Sequence, residues 1–227
     1  MSFDRVGTII GIILGVASFA PLFCKGYTAF GLLAVLIVLG LVYHYWDAFV
    51  QSDFTILTTR TTYKIEDESG SKATSKKVMK VRANHKGLSR YVHRNISADG
   101  NVKGFRTNYG SIETQLKGGD YTVYHTFPVK LGKWQSYEFD LIIEFEDSFV
   151  GDPEAVIMLV DSRTKSGEMR VELPETRPCK DARIYYRHGI EERQLQPPII
   201  SPDRRQITWS KKRLNKIGSE YEIEWNW

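Results

Sequence analysis

Lys80, Arg82, Arg90, His93 and Arg94 lie close together in the chain, interleaved with Tyr91 and followed by Phe105 and Tyr109. Cations that hold phosphate oxygens, beside rings that stack on bases, are the chemistry of nucleotide binding. On an alternating strand at 78–85, Lys80 and Arg82 share one face, while Met79, Val81 and Ala83 turn to the core. A short turn at Gly87 leads into a strand at 89–97, and pairing of the two as a hairpin is predicted to bring Arg90, Tyr91, His93 and Arg94 within reach of one ligand. The same cations also suit a solvated basic face, or contact with anionic lipid.

Other constellations offer less. His44, His85, His93, His125 and His188 show no spacing of metal ligands, and no nucleophile elbow, phosphate loop or dinucleotide fingerprint is present. Asp147 and Asp152 flank Gly151 without the alternating oxygen ligands of a calcium loop. Cys179 has basic neighbours, Arg177 and Lys180, that could lower its pKa, yet a lone thiol in a Pro-rich stretch reads as structural. Cys24 and Cys179 together cannot make a disulfide scaffold. The chain is therefore expected to be no enzyme, with no catalytic residues, no metal and no cofactor.

The elements that would carry these residues are strands. In Gln135–Glu146, Tyr137, Phe139, Leu141, Ile143 and Phe145 alternate with a mainly acidic row. Met169, Val171 and Leu173 repeat the device, as do Tyr221, Ile223, Trp225 and Trp227. Further strands are expected near 54–66, 78–85, 89–97, 104–114, 121–129, 155–161, 182–188 and 206–211. Asp67–Lys77 reads as a polar loop, and Gly70, Asp99-Gly100, Gly118-Gly119, Ser166-Gly167 and Gly218 as turns. About ten strands without a helical period predict an all-β domain at 53–227, a barrel or a sandwich.

Charge divides the 227 residues sharply. Only Asp4, Arg5, Lys25 and Asp47 are charged among residues 1–52. Val6–Phe23 and Thr28–Trp46 are uncharged runs of 18 and 19 residues, each reaching roughly 27–28 Å as a helix, about the thickness of a hydrocarbon core. They predict a transmembrane hairpin at 1–52, with helices at about 6–23 and 28–46. Tyr43, Tyr45, Trp46 and Phe49 would mark its interface. Arg5, Arg60 and Lys64 against the single Lys25 of the turn place both termini in the cytoplasm. Gly7, Gly11 and Gly15 form a small-residue stripe that suits either homo-oligomerisation or packing within one hairpin. Residues 53–130 hold 14 Lys and Arg against 7 Asp and Glu, whereas residues 131–227 hold 15 against 18.

A two-helix hairpin followed by one β-rich domain resembles the two-transmembrane β-rich effectors of bacterial cyclic-oligonucleotide anti-phage signalling. The resemblance implies a small barrel that accepts a cyclic nucleotide, assembly of protomers, and damage to the bacterial inner membrane.

The leading expectation is accordingly a membrane-anchored sensor-effector of antiviral defence, a multi-pass inner-membrane protein. Its partners would be the lipid bilayer, further copies of itself and a cyclic nucleotide, with no DNA. The alternative is a membrane-tethered adaptor whose β domain recruits a protein partner.

Overall fold

The two-residue alternation is realised as pleated strands throughout the residues that the computed structural model describes, 52–214 and 216–227. The first seven strands are Phe54–Ile65 (β1), Lys72–Ala83 (β2), Leu88–Ile96 (β3), Asn101–Arg106 (β4), Ser111–Lys117 (β5), Asp120–Leu131 (β6) and Ser136–Glu146 (β7). Glu154–Leu159 (β8), Thr164–Glu172 (β9), Asp181–His188 (β10) and Glu191–Gln194 (β11) follow. The series closes with Ile199–Ile200 (β12), Gln206–Leu214 (β13) and Glu220–Asn226 (β14).

These strands form three sheets. The largest runs β12-β13-β9-β1-β2-β7-β4, a second runs β11-β10-β14-β8, and the third is β3-β6-β5. Among the described residues every ladder is antiparallel except the one between β1 and β9, which joins Ile56 to Thr164 in parallel.

Two apolar clusters bind the sheets together. Between the seven- and four-stranded sheets lie Ile143, Phe145, Met169, Val171, Ile184, Ile223 and Trp225. Between the seven- and three-stranded sheets lie Phe54, Met79, Val81, Tyr91, Phe127, Leu131 and Phe139. Each buried side chain of this size contributes about 1.5–3 kcal/mol, so the inward rows hold the layers in contact. Gly167 permits one close approach: a Cβ there would sit 2.5 Å from Leu214 Cδ1 and 2.9 Å from Met158 Cε.

The expected fold class needs correction. The described residues form fourteen strands, not about ten, and three open sheets replace the barrel. The described residues contain no helix, and none long and apolar enough to cross a membrane. The reading of a transmembrane-helix protein, multi-pass in the bacterial inner membrane, is corrected accordingly. Its hairpin at 6–23 and 28–46, with Gly7, Gly11 and Gly15, lies outside the described residues.

Smaller corrections have local causes. The polar loop expected at 67–77 is half strand, because Ala73 and Ser75 face inward with partners on both β1 and β7. The strand expected at 104–114 is two strands, broken at Gly110, where φ is 82° and a Cβ would lie 2.2 Å from the Thr126 carbonyl oxygen. Gly167 is interior to β9 and makes no turn; it serves the close packing of two sheets.

Candidate functional site

The break between β4 and β5 builds the candidate site. Asp140 on β7, with 2% of its surface exposed, fixes the turn between them. Its Oδ1 accepts from the Asn108 amide at 2.8 Å and from Thr107 Oγ1 at 3.2 Å, and its Oδ2 accepts from Asn108 Nδ2 at 2.6 Å. Thr107 Oγ1 also donates to the Asp140 carbonyl at 2.7 Å. The chain therefore leaves the seven-stranded sheet at a fixed corner and enters the three-stranded one.

β4 is an edge strand, paired only with β7, and β5 is another, paired only with β6. No ladder joins them among the described residues. Between them opens a groove of about 330 Å3, lined by Val102, Lys103, Phe105, Ile112, Thr114 and Tyr121. The Phe105 and Tyr121 rings meet there, 5.1 Å between centroids.

Cross-strand pairing explains why this surface is open. Ile112 and Thr114 oppose the buried His125 and Val123, so their row points toward the seven-stranded sheet. That sheet ends at β4, one strand short of covering them. Leu116, in the same row, is 59% exposed. Lys103 forms an ion pair with Glu146, and Arg106 pairs with Glu144 at 3.3 Å. The free edge of β4 thus carries cations and no carboxylate.

The basic and aromatic residues singled out in the sequence are dispersed. β2 pairs with β1 and β7, not with β3, so the expected hairpin does not form. Lys80 opposes Thr58 and Glu138 in the seven-stranded sheet, and the Arg82 guanidinium lies 5.0 Å from the Trp134 ring. Arg90 is in the three-stranded sheet, 2.6 Å from Glu113 and 4.1 Å from the Tyr124 ring. Arg94 is exposed there too.

Tyr91 and His93 point the other way, into the core. Burial pushes the Tyr91 hydroxyl well above its ordinary pKa, and Asp161 adds to the rise. The Ser162 hydroxyl is nearby but outside hydrogen-bonding geometry. Burial likewise holds His93 well below the usual imidazole range, with the charges of Lys77 and His125 acting in the same direction. Neither residue presents a charge or an open ring face to solvent. Tyr109 is exposed in the β4–β5 turn, and Phe105 alone of the eight lines the groove.

Lys103, Ile112, Thr114 and Tyr121 escaped the sequence reading. Their signal was weak but present: Ile112, Thr114 and Leu116 alternate with polar residues immediately after a glycine turn. The lowering that Arg177 and Lys180 could have given the Cys179 thiol is not realised. Cys179 is buried, and its thiol is pushed up to about 11 despite the nearby Arg204.

No protein-family model matches the chain, and no curated protein does. Among solved structures it is similar to an M1 zinc metallopeptidase from Deinococcus radiodurans, at 12% identity and a TM-score of 0.44, over 75% of this chain and 42% of that one. A mutant of the Deinococcus radiodurans M1 zinc metallopeptidase bound to a Tyr-Ser-Ala substrate is similar at 11% identity and a TM-score of 0.45, over 75% and 42%. This chain therefore spans less than half the length of either neighbour.

Proposed function

We propose that the β domain is a non-catalytic recruitment module that takes an extended segment of a partner protein on the edge of β4. The observation that carries this reading is the free β4 edge beside an uncovered inner row of β5. An added strand would extend the seven-stranded sheet by one, satisfying the unpaired backbone groups of β4. Its inward side chains would cover Ile112, Thr114, Leu116 and Tyr121. Its outward ones would lie beside Lys103 and Arg106, where acidic residues form favourable cross-strand pairs. The partner segment is thus alternately apolar and acidic.

The surface pairs of Lys103 and Arg106 with β7 are exposed and screened by solvent, so exchanging them for a partner's carboxylates costs little. The bulge between Val102 and Gly104, with Lys103 beside it, discourages indiscriminate edge pairing.

Selection of displayed decapeptides against the full chain tests the reading. Alternating apolar-acidic sequences should be enriched, and should protect the amides of residues 101–106 from hydrogen exchange. Thr114→Arg fills the groove from an exposed position, and should weaken those peptides at least tenfold without lowering thermal stability. Failure to enrich any peptide, or protection elsewhere on the surface, overturns the proposal. If a cyclic nucleotide panel gives binding heat where peptides give none, the sensor reading takes its place.

A further inference from the structure

A second concavity lies away from the β4 edge, where the last strand ends. Arg177, Pro178, Cys179, Lys180, Arg204 and Trp227 line a cleft of about 440 Å3, within the size range of small-molecule sites.

Its cations are held in place by neutral groups. The Arg177 guanidinium lies 3.7 Å from the centroid of the Trp227 ring. It donates to the carbonyl oxygens of Glu68 and Gly151, at 3.3 and 3.2 Å. Arg204, whose backbone φ is 58°, donates through Nε to the Cys179 carbonyl at 2.6 Å and through Nη2 to the Lys180 carbonyl. Carbonyls fix the orientation of a guanidinium without cancelling its charge. Of the five N–H donors each arginine carries, more than half have no partner among the described residues.

Neighbouring cations are treated differently. Arg183 finds Asp181 at 3.8 Å, and Arg205 finds Glu175 at 3.7 Å. Arg177, Lys180 and Arg204 have no carboxylate within 4.0 Å among the described residues. Thr176 and Pro178 complete the exposed lining, above the buried Cys179 and Trp227. Because burial keeps the Cys179 thiol protonated at neutral pH, it adds no repelling charge.

The geometry points to a binding site for a small organic phosphate, its anionic group on Arg177, Lys180 and Arg204 and its organic body over the exposed Pro178. Oriented guanidinium forks match phosphate oxygens and form charge-assisted hydrogen bonds. The Trp227 ring, buried behind Arg177, backs that guanidinium and holds it toward the cleft. The inference is independent of the recruitment reading, since it uses other residues at another place on the domain.

Titration calorimetry of the full chain with phenyl phosphate tests it, with inorganic phosphate and phenol as the two halves of the probe. Phenyl phosphate should bind more tightly than either half. Lys180→Ala removes an exposed cation that makes no structural contact across the cleft, and should weaken phenyl phosphate about tenfold, the loss expected for one charge-assisted bond. Arg204→Gln should do the same or more. Absence of binding by the unmutated chain at millimolar phenyl phosphate would show that the two arginines serve only to staple their loops, and overturns the assignment. Equal affinity of the Lys180→Ala variant, or equal affinity for phenol and phenyl phosphate, overturns it as well.

Discussion

The imidazoles of His93 and His125 lie 6.4 Å apart between the seven- and three-stranded sheets. Phe139 packs 5.8 Å from one and 4.4 Å from the other. None of their four ring nitrogens has a hydrogen-bond partner among the described residues. Burial holds both below the ordinary imidazole range, and for His125 it outweighs the Tyr109 carbonyl and Asp140. In the unfolded chain each takes its proton near pH 6.5, whereas the folded chain resists it. The unfolded state therefore binds more protons below that pH, and stability rises with pH. The urea midpoint should be flat above about pH 7 and fall below about pH 6.5, each histidine adding a slope of about 1.4 kcal/mol per pH unit. His93→Phe should remove about half of this acid limb. An unchanged limb in the His93→Phe, His125→Phe double variant would place its origin elsewhere.

The same residues show what the sequence could convey at this scale. Strand alternation by itself sets Arg90 and Arg94 on one face of β3 and Tyr91 and His93 on the other. Grouping all four around one ligand required ignoring that period. Lys77 is a different case. Its position opposite Thr61 and Leu141 puts it on an inward row, where burial lowers its pKa and Asp161 partly offsets the fall. No local pattern announces an inward lysine, because the cause is the register of two partner strands.

Among the elements, β7, β9 and β14 were legible because each puts apolar side chains on one face and charge on the other. β2 was only half legible, since its first residues are strand by virtue of their partners and not of their own propensity. The corner between β4 and β5 depends on Asp140, an aspartate from a third strand, and that relation is invisible along the chain. Asp140→Ala should leave the two Asn108 donors without their acceptor, while Thr107 keeps the Asp140 carbonyl. The expected cost is about 3 kcal/mol in chemical denaturation, the scale of a buried charged hydrogen-bond network. Amide exchange at residues 108–111 should quicken beyond what the global loss accounts for. Uniform acceleration across the whole domain would show that Asp140 contributes general stability and no fixed corner.

For the whole molecule, alternation tells which side of each strand is buried but not whether a sheet closes. A barrel and three open sheets place the same residues inside; the difference lies in which strands find each other. That choice is made by contacts distant in sequence, such as Ile56 with Thr164 and Gly167 with Leu214. The groove beside β4 arises where two such layers stop short of one another and has no contiguous motif, whereas the second cleft takes one run, 176–180, and is completed by the distant Arg204 and Trp227.

The single parallel ladder has a consequence in time. β1 can pair with β2 as soon as both have been made, but its opposite edge waits until the chain has reached β9, and β9 in turn waits for β13. Loop closure over such separations is slow, so refolding should take milliseconds to seconds and not microseconds. In pulse-labelled hydrogen exchange, amides bonded across β1 and β2 should be protected before those across β1 and β9. Simultaneous protection of both edges would mean that the large sheet closes in one step. Until that closure, the strand destined for the middle of the large sheet is a nascent edge, the part of the growing polypeptide most exposed to mispairing with another chain.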